Sequence, residues 1–223
     1  QARVLWHSNY RIGMSPEVLT CVTLLHDYLV NPNNSWSAPI ANIVPRDPHI
    51  ELYGDASTSG AGGGWCRRLQ FWFEVDWSSS IIARTQLNAS HPDFLHINCL
   101  EFVIVILQLV GVIVRLETLS PTLATTIFPD GIPTHPVALI WTDNTAAKAW
   151  ANRVSSSSIA GQNLLGVYAA LLKQYQIGVQ CDHVPGEANI IADFISRPDN
   201  TSYTFPQRAE QIFLKHPFLR TYS

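Results

Sequence analysis

The run Val137-Ala-Leu-Ile-Trp-Thr142 is apolar at almost every position and stops at Asp143. A strand with one wet face alternates apolar and polar residues, so a continuous apolar run is expected where both faces are covered, in the interior of a sheet layered with helices. The surrounding chain supplies the other layers. Ile50 to Asp55, Gly63 to Arg67 and Gln70 to Trp77 read as a three-stranded antiparallel meander joined by a Gly-rich turn through Gly60. Ile97 to Leu116 carries many β-branched residues, yet its length favours a buried helix, and helix is the expectation. Asn144 to Arg153 reads as a short helix, followed beyond Ser155–Ser158 by a second with Leu164, Tyr168, Leu171, Leu172 and Tyr175 on one stripe. Ile177 to His183 is expected as a fifth strand and Ala188 to Ser196 as a final helix stopped by Pro198. Three strands, helix, strand, two helices, strand, helix is the order of an α/β domain.

Outside this block the chain changes character. Ser15-Pro16-Glu17 marks a helix start, with Val18, Val22, Leu25 and Leu29 at helical spacing, ending near Asn31-Pro32. The Asn-, Ser- and Pro-rich stretch up to Pro48 reads as a tether. The expected division is therefore 1–47, 48–198 and an aperiodic extension, 199–223. Gln1 in place of an initiator Met fits a segment of a longer product.

With 47% apolar and 14% charged residues, the chain is expected to bury a core rather than stay disordered. The apolar run Phe102 to Val114 is interrupted by Gln108 and is shorter than the roughly 20 residues a membrane helix needs, so it is assigned to the core with no membrane partner, while four cysteines read as free thiols of a reducing compartment give the expected intracellular setting, cytoplasmic or nuclear. Cys21, Cys66, Cys99 and Cys181 form no Cys-x-x-Cys pair, which signals neither zinc nor a disulfide framework. The sequons at Asn33, Asn88 and Asn200 are chance matches in that setting. A net charge of −3 argues against a free-standing nucleic-acid binder, because such proteins usually present a basic face to phosphates.

Three acids stand at element ends: Asp55 closes the first strand, Asp143 closes the central one, and Glu101 enters the most apolar helix. Each has an ordinary reading, Asp55 as a turn residue, Asp143 as a helix cap and Glu101 as a first-turn acid complementing the helix dipole. Jointly they say more. Strand ends in an open α/β sheet converge on one crevice. Carboxylates about 4 Å apart repel by roughly 4 kcal/mol at an effective dielectric near 20. A cluster of them therefore needs a cation or a raised pKa, and oxygen ligands suit Mg²⁺ or Mn²⁺.

The segment His183-Val-Pro-Gly-Glu-Ala-Asn189-Ile-Ile-Ala-Asp193-Phe-Ile-Ser-Arg197 resembles the last motif of retroelement ribonuclease H domains. Tyr53-Gly54-Asp55-Ala56-Ser57, Asn98-Cys99-Leu100-Glu101 and Trp141-Thr142-Asp143-Asn144 are similar to the other motifs and stand in the family's order. The wording looks most like retrotransposons of the DIRS type or related reverse-transcribing elements. The resemblance covers about Pro48 to Pro198. It implies a ribonuclease H-like fold: a five-stranded mixed sheet with helices on both faces, preceded by the N-terminal helix and tether. Residues 1–47 would be the connector after a reverse transcriptase, as Trp36 to Pro48 resembles such a connector. The polymerase's Tyr-x-Asp-Asp signature is absent from the sequence.

The resemblance further implies that Asp55, Glu101, Asp143 and Asp193 hold two Mg²⁺ (or Mn²⁺) ions. These would support endonucleolytic cleavage of the RNA strand of RNA/DNA hybrids to 5′-phosphate and 3′-hydroxyl ends. His183, ten residues before Asp193, is the expected proton shuttle or product-release histidine, or else an ordinary strand-end His. Asn189 binds the hybrid or caps the last helix, and Ser57 and Asn144 touch sugar or phosphate or serve tight turns. Arg67, Arg68, Lys148 and Arg153 are candidates for phosphate contact or plain surface, and Trp150 is assigned to the core. Where some cellular relatives carry an extra basic helix, only Val154 and the serine run Ser155–Ser158 join the two middle helices here, and the long loop expected from Glu117 to His135 offers no Lys or Arg. Partners would be the hybrid and the reverse transcriptase domain of the same polyprotein. The rivals are a catalytically inactive ribonuclease H-fold connector or domesticated nucleic-acid-binding scaffold, and then an integrase or transposase, which typically carries its third acid as Glu on a late helix.

Overall fold

The computed structural model describes residues 46–197, the pair Glu210–Gln211 and the single positions Thr23, His26 and Val30. Those three positions are helical; the rest of the helix expected from Ser15, the tether up to 45 and most of the tail lie outside the described residues. The chain divides into two compact units, Gln1–Val44 and Pro45–Ser223, slightly upstream of the boundary expected at Pro48.

The second unit is α/β. Strands β1 (Ile50–Ala56), β2 (Ala61–Cys66), β3 (Phe71–Asp76), β4 (Val137–Thr142) and β5 (Gly178–His183) form an open mixed sheet in the order β5-β4-β1-β2-β3. β1, β2 and β3 are antiparallel neighbours, whereas β1–β4 and β4–β5 pair in parallel. The helices are α1 (Ser79–Thr85), α2 (Ile97–Thr118), α3 (Pro121–Ile127), α4 (Thr145–Arg153), α5 (Ile159–Tyr175) and α6 (Ile190–Ile195), the last preceded by a single 3₁₀ turn at Gly186–Ala188. The five strands expected are all present in this mixed sheet. β6 (Glu210–Gln211) adds to the edge in parallel with β3, Phe71 opposite Glu210, a pairing too short to leave any period in the sequence.

Two short helices replace expected loop. α3 lies within the stretch Glu117 to His135: Pro121 opens it and the Ser120 hydroxyl accepts from Leu123 N at 3.3 Å. α1 follows the meander and buries no residue fully, although Ile81 and Ile82 pack against the core.

The sheet is sandwiched at β2 because β2 is nearly side-chain-free. A Cβ at Gly62 would lie 2.7 Å from Ile104 of α2, and one at Gly63 would collide with Ile195 of α6 on the opposite face and come 2.5 Å from the Phe73 carbonyl. Glycine thus lets helices approach closely from both sides. On the α2 side lies the main core, with Ile50, Leu52, Phe71, Phe73, Phe102, Ile104, Leu109 and Ile140 all fully or almost fully buried. Trp150 packs edge-on against Phe102 with centroids 5.7 Å apart, within the core as expected.

α2 spans 22 residues and its most apolar 18-residue window has a mean hydropathy of 2.5, long and apolar enough by composition to cross a membrane, so shortness does not exclude that role as expected. Its surroundings are those of a core helix, with 78% of its most apolar window buried inside the domain. Cys66, Cys99 and Cys181 are buried free thiols, and burial pushes Cys66 and Cys181 up to about 12. Cys21 lies outside the described residues.

Candidate metal centre

Parallel pairing of β1 and β4 sets the register Tyr53 opposite Trp141. Two residues further on each strand stand Asp55 and Asp143, so the pairing alone brings both to the same end of adjacent strands. Glu101 reaches them from α2: it is the fifth residue of that helix, past the first turn, and its Oε1 accepts from Ala56 N at 3.3 Å. One carboxylate oxygen from each of Asp55, Glu101 and Asp143 lies within 4.8 Å of the others, close enough to bind a metal ion.

The ordinary readings of these acids do not describe this arrangement. Asp55 sits inside β1, paired with Gly63, and is no turn residue. The cap of α4 is Asn144, whose Oδ1 accepts from Ala146 N at 3.0 Å and Ala147 N at 2.9 Å, leaving the Asp143 side chain free of that duty. Glu101 lies too deep in α2 to complement its first turn.

Burial and mutual repulsion raise the pKa of all three. Burial pushes Asp55 up to about 6; the Asp143 and Asp193 charges add to this while the Ser196 hydroxyl and Arg197 oppose it. Glu101 is pushed up to about 9 by burial first and then by Asp55 and Asp143, against the Ala56 amide and the neighbouring Thr142 hydroxyl. Asp143 is also raised, chiefly by burial and further by Asp193, with His183 and Arg197 countering. Glu101 is only 4% exposed, and its Oε2 has no hydrogen-bond partner. An orphaned buried carboxylate oxygen facing two more carboxylates is the environment a hard cation satisfies.

Asp193 belongs to the same pocket but not to the close trio. The pocket is lined by Asp55, Glu101, Asp143 and Asp193 together with Ser57 and Arg197, among others. Asp193 projects from α6, which is fixed over β1 by two buried contacts: Asn189 Nδ2 donates to Gly54 O at 3.0 Å, and the Ser196 hydroxyl donates to Asp55 Oδ2. Arg197 grips Asp193 Oδ1 through Nε at 2.8 Å and Nη2 at 2.6 Å.

The remaining candidates fall in several places. Ser57 lines the pocket, and its Oγ hydrogen-bonds Ser59. Asn144 caps α4 and donates to Asn98 Oδ1 at 3.0 Å. Asn189 is 2% exposed and makes no side-chain cap, so its described role is the tie to Gly54. His183 ends β5 opposite Thr142, exposed, one residue along the register from the Asp143 position. The loop after it passes Asp143 closely, a Cβ on Gly186 lying 3.2 Å from Asp143 Oδ2. Of the four cations considered for phosphate contact, Arg68 is committed to the His49 and Ile127 carbonyls and the Phe128 ring, and Lys148 bonds Asp182 at 2.6 Å. Arg67 and Arg153 are exposed. Ser196 and Arg197 were not singled out from sequence. Their signal was spacing, since positions three and four after Asp193 share its helix face.

A scan against protein-family models and a search of curated proteins each find no match for this chain.

Proposed function

We propose that this chain is a metal-dependent ribonuclease H that hydrolyses the RNA strand of RNA/DNA hybrids, as part of a retroelement polyprotein acting inside the cell. The observation that carries the reading is the convergence of Asp55, Glu101 and Asp143, each from a different motif of the resemblance, with ligand oxygens within 4.8 Å of one another. The mixed sheet, with its antiparallel β1–β3 and parallel β1–β4–β5 pairings, is compatible with a ribonuclease H-like fold.

In this reading Asp55, Glu101, Asp143 and Asp193 are the ligands of two Mg²⁺ or Mn²⁺ ions, the all-oxygen donor set these ions prefer. When bound, such ions supply Lewis-acid activation of water and stabilise the leaving oxygen. The chain's own residues provide the rest. Glu101 is held on the Ala56 amide and Asp55 on the Ser196 hydroxyl, so the carboxylates are aimed before any ligand arrives. His183, at the end of β5 and free of a β-ladder duty for its side chain, is the group to carry a proton to or from the reacting phosphodiester. Ser57 offers its hydroxyl from the pocket wall to the sugar-phosphate backbone. With a net charge of −3 the whole chain is poorly suited to hold a polyanion alone, so the reverse transcriptase domain upstream is assigned most of the grip on the hybrid.

The connector reading is favoured by one observation, the pairing of Asp193 with Arg197, which leaves the fourth acid outside the close trio. A strand-labelled hybrid with Mg²⁺ or Mn²⁺ separates the two. The nuclease reading predicts RNA fragments ending in 5′-phosphate, with duplex DNA spared, because 2′-hydroxyls in an A-form-like minor groove distinguish RNA from DNA. Intact hybrid, even with the natural upstream domain attached, would leave the connector.

A further inference from the structure

Among the described residues, Arg197 is the one basic residue lining the acidic pocket, and its guanidinium is spent on a single carboxylate oxygen. Nε and Nη2 both converge on Asp193 Oδ1, an i,i+4 pair joining α6 to the residue just past its C-cap, with the Arg197 and Asp193 side chains 61% and 40% exposed. Solvent screens such a pair, so giving it up costs the protein little. The pocket also holds a buried and unpartnered acceptor, Glu101 Oε2, on a residue 4% exposed, an oxygen that a bound cation would satisfy. An anionic phosphodiester entering among four carboxylates needs positive charge that is not consumed by those carboxylates.

We propose that Arg197 is the phosphate-binding residue of this pocket, parked on Asp193 until a divalent cation takes that carboxylate, and then turned to a non-bridging oxygen of the phosphodiester. The inference rests on the ribonuclease H reading for the identity of the substrate, but its core is an exchange of partners: Asp193 passes from guanidinium to metal, and Arg197 from carboxylate to phosphate. A planar fork of donors already presenting two N–H groups to one oxygen is the geometry that phosphate oxygens accept. The exchange also explains the separation of Asp193 from the close trio: in the metal-free protein its charge is answered by Arg197. Of the other cations considered, Lys148 is paired with Asp182 and Arg68 with two carbonyls, and neither Arg67 nor Arg153 lines the pocket.

Two readouts on the full chain test it, neither needing turnover: Mn²⁺ binding by calorimetry, and equilibrium binding, across a salt series in Ca²⁺ as a non-catalytic divalent cation, of a fluorescent RNA/DNA hybrid and of duplex DNA. Arg197→Ala is expected to bind Mn²⁺ at least as tightly as wild type, since a competitor for Asp193 is removed. Its hybrid affinity should fall about 5- to 20-fold, and the slope of log affinity against log salt should fall by about one. Arg197→Lys should recover the slope and only part of the affinity, and guards against a folding defect in the alanine variant. An unchanged salt slope in Arg197→Ala, or weakened Mn²⁺ binding with hybrid affinity intact, overturns the proposal, the latter making Arg197 merely the positioner of Asp193. Failure of the underlying reading looks different: wild type would bind hybrid no better than duplex DNA, while the slope difference between wild type and Arg197→Ala would still be read on either nucleic acid.

Discussion

The Ser196 hydroxyl donates a hydrogen bond to Asp55 Oδ2, joining residues 141 positions apart and tying the last turn of α6 to β1. Both are buried, Ser196 completely. Ser196 Oγ also lies 3.0 Å from the Asp193 carbonyl, but a hydroxyl has one proton to give, and the carboxylate is the stronger acceptor. One side chain thus fixes the distance between the helix that carries Asp193 and the strand that carries Asp55.

Ser196→Ala should therefore cost about 1.5–3 kcal/mol of stability in urea melts, the usual loss for a hydrogen bond to a charged group. It should also move the Asp55 carboxyl above its value of about 6, since the hydroxyl bond is what holds it down. Mn²⁺ affinity should drop several-fold at pH 6.5 and return toward wild type at pH 8.5. A uniform loss at both pH values would mean that Ser196 only braces the helix.

The metal-free protein should lose stability as pH rises. Asp55 and Glu101 are lifted from 3.8 and 4.5 to about 6 and about 9, so the folded state holds protons that the unfolded chain has released. Stability is fully present below the unfolded values and declines from about pH 4 through about pH 9. Melts in chelator should show this fall, and a saturating divalent cation should flatten it. Glu101→Gln should be more stable than wild type at pH 8 without metal, by about 1 kcal/mol or more, since each pKa unit is worth about 1.4 kcal/mol. A wild type whose stability is level from pH 5 to 9 in chelator would contradict the cluster's electrostatics.

Gln108 is fully buried in α2, lying over Gly54 and Gly64, and neither its Oε1 nor its Nε2 has a partner. Gln108→Leu keeps the volume and removes the unsatisfied amide, so a gain of about 1–2 kcal/mol is expected in denaturant melts. A loss of stability would show that the amide is satisfied in solution.

The parts of this fold that were legible in sequence are those with strong periods. The apolar run ending at Thr142 does form a strand interior to the sheet, and the ambiguous stretch from Ile97 is helical, its length outweighing its β-branched residues. Seven-residue helices leave little stripe to read, although Ser120-Pro121 carries the same start signal as Ser15-Pro16 and Leu123 and Ile127 follow one turn apart. β6 pairs through two residues, and such edge contacts are decided by tertiary proximity alone. At the site, the acids were visible as element ends, but not their company. Which of Asp143 and Asn144 caps α4 depends on backbone angles at the strand end, and the pairing of Arg197 with Asp193 and of Ser196 with Asp55 depends on the tilt of α6 over β1–β2 that Gly63 permits.

The most direct measurement is RNA-strand cleavage of a labelled hybrid in Mg²⁺ or Mn²⁺ by wild type, Asp55→Asn and His183→Ala, each with the natural upstream domain attached and each checked for folding. The account predicts cleavage by wild type, none by Asp55→Asn, and slow but measurable turnover by His183→Ala, since lost proton transfer usually costs about 10²- to 10⁴-fold. Intact hybrid with wild type, or equal cleavage by wild type and Asp55→Asn, would contradict a catalytic role for the Asp55–Glu101–Asp143 cluster.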